Sequence, residues 1–408
     1  MSDRLKRILL ILALLTVTAL LAFALYYLFK KAGPLAEVPG APSASPTVPG
    51  VLPPSGGRVT TTLPSGEVTT TLPTAGYIPG VQPSYYRSEP VTKISEAPTS
   101  YSSVSKGGNY RYYDKTDGKF YRIQADGTVK ALSDQMFYNV QKATWASNSD
   151  KAVLEYPDGS KIIYNFETQK QVTLPKHWEE FSFSPDGKEV AAKSIGLSPE
   201  NRWLVTVNDD GTGTKLVEAM GENQDKVIID WSPSKQAVGF AMTAQGLGMY
   251  RKEIYFVGLN GENFKSTIVE GQGFEPKWST TGEKMVYSVY SDRSDFKPEL
   301  WVVNSYGQEI GSGRQNLGLN TWSEKCTFGG DSTLFCAVPR DLPQGAAIKP
   351  AIASGLVDDL YKIDLKTGVK TTINTGGNYS INNLSFDEVN NRLMFSDTAQ
   401  NGVFEVKL

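Results

Sequence analysis

The chain has one histidine, His177, and two cysteines, Cys326 and Cys336, in 408 residues. A single histidine argues against His-rich metal sites and against most Ser–His and Cys–His catalytic arrangements. Two cysteines cannot build a multi-cysteine zinc centre. A surplus of positive charge is also missing: 41 Lys and Arg stand against 43 Asp and Glu, for a net charge of -2. With no basic run to track phosphates, nucleic acid is not an expected partner. The nucleophile elbow, the phosphate-binding P-loop, H-E-x-x-H and the EF-hand loop are absent as well. No catalytic group, cofactor or metal ion is therefore expected.

What is present falls into three zones. Residues 8–29, ILLILALLTVTALLAFALYYLF, carry no charge. A helix of that length spans about 33 Å, enough for a hydrocarbon core. Arg4, Lys6 and Arg7 precede it, and Lys30 and Lys31 follow. Tyr26 and Tyr27 sit near its far end, where amphipathic rings are favoured. The reading is a signal-anchor helix behind a short cytoplasmic tail, residues 1–7, with the C-terminal domain outside the cytoplasm. A cleaved signal peptide is the rival, because Ala22-Phe23-Ala24 matches a cleavage site. Either reading exports the rest of the chain.

Residues 30–90 are rich in Pro, Gly, Ser and Thr. Val-Pro-Gly occurs at Val38 and Val48, and Val-Thr-Thr-Thr-Leu-Pro at Val59 and Val68. Such composition buries too little apolar surface to offset ordering entropy, so a disordered linker is expected.

Residues 91–408 contain a recurring unit: an aromatic, a tight polar turn and a short apolar strand. The copies begin at Trp145, Phe183, Trp231, Trp278, Phe328 and Phe386. A second hairpin follows each copy, as in Ile254-Tyr-Phe-Val-Gly-Leu-Asn-Gly. Each unit thus reads as four strands, a to d. The b strands are apolar on successive residues, as in Ala237-Val-Gly-Phe-Ala-Met. That implies burial on both faces, which stacked propeller blades supply.

Phe183-Ser-Pro-Asp-Gly-Lys and Trp231-Ser-Pro-Ser-Lys, with Asn208-Asp-Asp-Gly-Thr-Gly in the following turn, resemble the WD40-like repeats of TolB-type propellers. They are also similar to the N-terminal propeller of dipeptidyl peptidase IV-like proteins. The chain departs from the peptidase pattern in that no hydrolase domain follows the last repeat. The resemblance implies an all-β propeller fold and interaction with envelope proteins. It assigns no narrower role, because these repeats are structural.

The last repeat supplies strands a, b and c, ending in Val403-Phe-Glu-Val-Lys-Leu. A missing d strand is expected from Val91–Ser95. A first unit follows it, with strands at 101–104, 109–113, 119–123 and 128–132. The count is seven blades, with six and eight as alternatives. Cys326 and Cys336 flank one a–b turn. A symmetric hairpin places them within disulfide reach, and a one-residue bulge would leave two buried thiols.

The b–c connections of four units are long and all emerge on one face. Loops on a rigid scaffold often carry binding residues. The candidate contacts are Arg202, Tyr250, Arg251, Asp292, Arg293, Asp295, Phe296, Arg340 and Asp341. Their mixed charge and aromatics suit a protein or an envelope polymer as partner. Calcium at Asn208–Gly211 is set aside, because turn chemistry explains that composition. The function expected is a membrane-anchored, protein-binding or scaffold module of the envelope, in bacteria. The alternative is a lactonase or glycan-cleaving propeller enzyme using the central channel.

Overall fold

The computed structural model describes residues 91–408, together with the isolated helical positions Thr16, Leu20 and Phe23. The expected cytoplasmic tail, membrane helix and linker otherwise lie outside the described residues. Among the described residues no helix is long and apolar enough to cross a membrane.

Seven four-stranded antiparallel sheets follow one another along the described chain, making a seven-bladed β-propeller. Blades 1 to 6 occupy residues 99–131, 142–174, 178–219, 227–269, 272–316 and 326–373. Each contributes strands a to d in chain order. Blade 7 takes strands a to c from Ile381–Asp387, Arg392–Asp397 and Val403–Lys407. Its d strand is Thr92–Ser95, paired Thr92↔Glu405 and Lys93↔Phe404. The two ends of the domain thus share one sheet and leave no open edge at the junction. The strand expected at 101–104 begins earlier, at Thr99, and the one expected at 128–132 is shorter, Val129–Ala131.

The b strands are buried from both sides, as their unbroken apolar runs require. Arg392–Asp397 is buried at every position, and Lys151–Glu155 at all but the last. In blade 4 the neighbouring strand approaches so closely that a Cβ on Gly239 would stand 2.5 Å from the Ile228 carbonyl oxygen. The a–b turns are built from their own side chains. In Ser184-Pro-Asp-Gly, Gly187 adopts φ +68° and donates to the Ser184 carbonyl at 2.8 Å. The Ser184 hydroxyl accepts from the Glu189 amide at 3.0 Å and donates to Asp186 at 2.7 Å.

Polar side chains near the start of strand b tie successive blades. Arg111 of blade 1 donates to the Ala146 and Ser149 carbonyls of blade 2, at 3.0 and 2.6 Å, and lies over the Trp145 ring. Lys151 of blade 2 reaches the Gly187 carbonyl at 3.2 Å and pairs with Asp209 in blade 3. Arg392 of blade 7 holds Asp387 and Glu405 at 2.7 and 2.6 Å, and donates across the junction to the Gln124 carbonyl of blade 1 at 3.3 Å.

Cys326 and Cys336 are paired directly, with no bulge between them. Their Cα atoms stand 4.1 Å apart and a disulfide joins them.

Candidate functional site

In an antiparallel blade the b–c and d–a connections share one face, and the a–b and c–d turns the other. The long b–c connections of blades 3 to 6 therefore emerge together. In blade 5, Ser291 and Ser294 form a capping box around the short helix Asp292–Ser294. The chain then turns through two left-handed residues, Asp295 (φ 53°) and Phe296 (φ 54°). Outside glycine such backbone costs about 1–3 kcal/mol per residue and persists only where the surroundings hold it. Here the holder is the blade 6 connection. The Gly345 amide donates to the Asp295 carbonyl at 2.9 Å and the Ala347 amide to the Phe296 carbonyl at 3.0 Å. Leu342 and Ala346 of the blade 6 connection pack with Trp322, which precedes blade 6, in a small core of their own.

The candidate contacts divide into two groups. Three of the arginines are committed to the scaffold. Arg202 donates to the Gly196 and Leu197 carbonyls at 3.1 and 3.3 Å and pairs with Glu222. Arg251 pairs with Glu270 at 3.3 Å, and Arg340 with Asp359 at 2.8 Å and Asn378 at 2.9 Å. Asp292, Arg293, Asp295 and Asp341 are exposed, and Tyr250 and Phe296 are half-buried. No side-chain hydrogen bond or ion pair joins these six residues to one another.

The same loops also carry apolar residues that charge and aromaticity do not single out. Leu197, Leu247, Met249, Ile348 and Ile352 are all exposed, from 41% for Ile352 to 101% for Leu197. They belong to the b–c connections of blades 3, 4 and 6. The signal available was their presence in segments otherwise read as polar loops. Apolar side chains set among unpaired charges make a surface suited to a macromolecular contact.

The opposite mouth of the channel holds a cavity of about 600 Å³. Trp145, Phe183, Trp231, Phe328 and Phe386 contribute to its wall. These rings open the repeats, so residues read as structural also line a recess. Three groups on or beside the inner strands are shifted, and burial raises the first of them, the Glu275 carboxyl. Burial pushes the Asp230 carboxyl up to about 7, with the Lys277 ammonium opposing. Burial draws Lys277 down to about 8, against the pull of Glu324 and Asp230. Lys277 donates to the Cys326 carbonyl, linking blades 5 and 6. Asp230 and Lys277 are both half-buried. Among the described residues, no group of three or more His, Cys, Asp and Glu side chains stands ready to hold a metal ion.

His177 is exposed, and its carbonyl accepts from the Ile195 amide at 2.9 Å. In Asn208–Gly211, Asp210 accepts from the Thr212 hydroxyl at 2.6 Å and from its amide at 2.9 Å. Those bonds, the hydroxyl first, hold the carboxyl below its ordinary range.

No family model matches the chain, and no curated protein matches it significantly. Solved structures do. The Cps50 (Swd1) β-propeller domain of Myceliophteria thermophila aligns at TM-score 0.53 and 11% identity, covering 79% of this chain and 99% of that one. Oligogalacturonate lyase in complex with manganese aligns at 0.52 and 12%, covering 78% and 93%. The tricorn protease aligns at 0.50 and 11%, covering 78% of this chain. This chain spans about a third (34%) of the tricorn chain. TolB from Acinetobacter baumannii is matched as well. At such identities the likeness establishes the propeller fold.

Proposed function

We propose that the propeller is a protein-binding or scaffold module, displayed outside the cytoplasm of a bacterial cell by the apolar segment at residues 8–29. The b–c face of blades 3 to 6 is its contact surface. One observation carries this reading: the blade 5 and blade 6 connections are locked by backbone hydrogen bonds while their Asp292, Arg293, Asp295 and Asp341 side chains stay uncommitted and exposed. A rigid backbone bearing free side chains lowers the ordering cost of association. The apolar residues at 197, 247, 249, 348 and 352 supply the desolvated centre that affinity needs. The disulfide between Cys326 and Cys336 suits an oxidising compartment.

Photo-crosslinkers at Met249, Arg293 and Asp341 in intact cells are expected to capture one common partner. The same groups at Tyr306, Val369 and Val389, exposed on the other face, are expected to capture none. Equal capture from both faces would overturn the assignment. A C-terminal tag accessible only after the cytoplasmic membrane is opened would overturn the display.

A second reading has its own support. Asp230 and Lys277, on or beside the inner strands, have pKa values drawn towards neutrality, as acid–base groups of an enzyme do. The propeller of oligogalacturonate lyase gives the precedent of an enzyme on this fold. Turnover of a lactone or glycan that disappears in Asp230→Asn would favour this reading over the first.

A further inference from the structure

Blade 4, like blades 1 and 5, has a short outer strand. Its c strand, Lys252–Val257, has six residues and its d strand, Thr267–Val269, has three. Their register runs Lys252↔Val269, Glu253↔Ile268 and Ile254↔Thr267, and stops there. Tyr255, Phe256 and Val257 still pair inward with Ala241, Phe240 and Gly239. On the outer side they carry no ladder. Residues 258–266 make the c–d connection instead, with Phe264 packed against the cluster that holds Phe256. Lys265 donates to the Gln308 carbonyl of blade 5 at 2.7 Å, and Glu262 accepts from the Asn260 amide and side chain at 2.8 and 2.9 Å.

A cavity of about 330 Å³ between blades 3 and 4 borders this uncovered stretch. Leu204, Met220, Val227 and Phe256 form its apolar floor, and all four are buried. Glu218 and Glu262 stand exposed at its rim, and the lining includes no cation. The Asn260 amide holds the Glu262 carboxyl below its ordinary range, so the rim is negative at neutral pH.

We propose that this cleft takes an extended peptide segment with an apolar side chain next to a lysine or arginine, which completes blade 4 by pairing with Tyr255–Val257. An edge without its neighbour is a template for strand addition, in which main-chain bonds give affinity and pockets give selectivity. Three residues of strand span about 10 Å, room for a short motif. An apolar side chain fills the floor, and a basic one meets the two carboxylates. The cleft runs from the c–d turn of blade 4 to Thr243 in its b–c connection, and its lining includes none of the free charges of blades 5 and 6.

The test is selection of a random heptapeptide library, displayed on phage, against the folded chain. Enriched peptides are expected to place Lys or Arg beside an apolar residue. They are expected to slow hydrogen exchange at Tyr255–Val257 about tenfold or more. Glu218→Lys with Glu262→Lys is expected to weaken binding about tenfold at unchanged melting temperature. Glu218→Lys alone serves if the double variant melts early, since Glu262 also holds its turn. N-methylation within the paired residues is expected to abolish binding, while Arg293→Ala leaves it intact. No enrichment, protection elsewhere on the propeller, or binding that survives N-methylation would overturn the proposal.

Discussion

At the scale of single residues, buried charge is the main currency of this ring. Arg392 is 2% exposed and faces Asp387 and Glu405, which are 0% and 5% exposed. Removing the guanidinium strands two buried carboxylates, so Arg392→Ala is expected to cost about 3–5 kcal/mol in denaturant unfolding. A loss below about 1 kcal/mol would mean that water takes over its role. Asp230 gives a pH signature. Its folded pKa, about 7, lies above the unfolded value of 3.8. Between those values the folded chain holds the extra proton, so this group's contribution to stability falls as pH rises from about 4 to 7. Asp230→Asn cannot ionise. Its stability relative to the parent chain is therefore expected to improve between pH 5 and pH 7.5, and a constant difference across that range would refute the shift. Lys277 works in the opposite sense above pH 8, because there the unfolded chain binds more protons.

At the scale of elements, hairpins and bulges set where side chains go. The Cys326–Cys336 bond closes a short loop, with a sequence separation of 10. Replacing both cysteines by alanine is expected to destabilise the domain by about 2–3 kcal/mol through the freer unfolded chain. An unchanged unfolding midpoint would show that the hairpin is fixed by its ladder alone. Strand a of blades 1, 3, 5 and 7 carries a bulge, at Tyr101, Glu180, Gly273 and Asn383. All four residues have positive φ, and only one is glycine. The apolar and aromatic patterns of these strands mark them as strands but do not mark the bulges. Hairpin residues such as Asp186-Gly187 announce their turns, because their chemistry is local. A left-handed Phe296 does not, because the blade 6 connection that holds it lies some fifty residues further on.

At the scale of the molecule, the ring is held by the pairing of its two ends. Lys93 pairs with Phe404 and its ammonium lies 5.7 Å from the centre of that ring. Lys93→Pro removes a strand amide and loosens Thr92–Ser95 from Val403–Lys407. Melting is expected to fall by several degrees, and light scattering to show self-association as the edge at Val403–Lys407 opens. Retained melting and a monomer would mean that the other six blades hold the ring shut without the seventh.

Composition and period alone determined the class of fold and favoured seven blades, while the choice over six or eight was settled by the seven sheets of the structure. An apolar b strand buried on both faces and a turn-forming Ser-Pro-Asp-Gly are local requirements, and local requirements repeat visibly along a chain. The direct pairing of Cys326 with Cys336 was open on those grounds, since a single inserted residue would have parted them. Only the tertiary structure decided which loop residues are free. Arg202 and Arg340 look like Arg293 in sequence, yet they are consumed by carbonyls and carboxylates of the scaffold. It also decided that the outer ladder of blade 4 stops at Ile254↔Thr267 and leaves Tyr255–Val257 unpaired on that side. Both outcomes depend on distances between segments of the folded chain, and no periodicity encodes those.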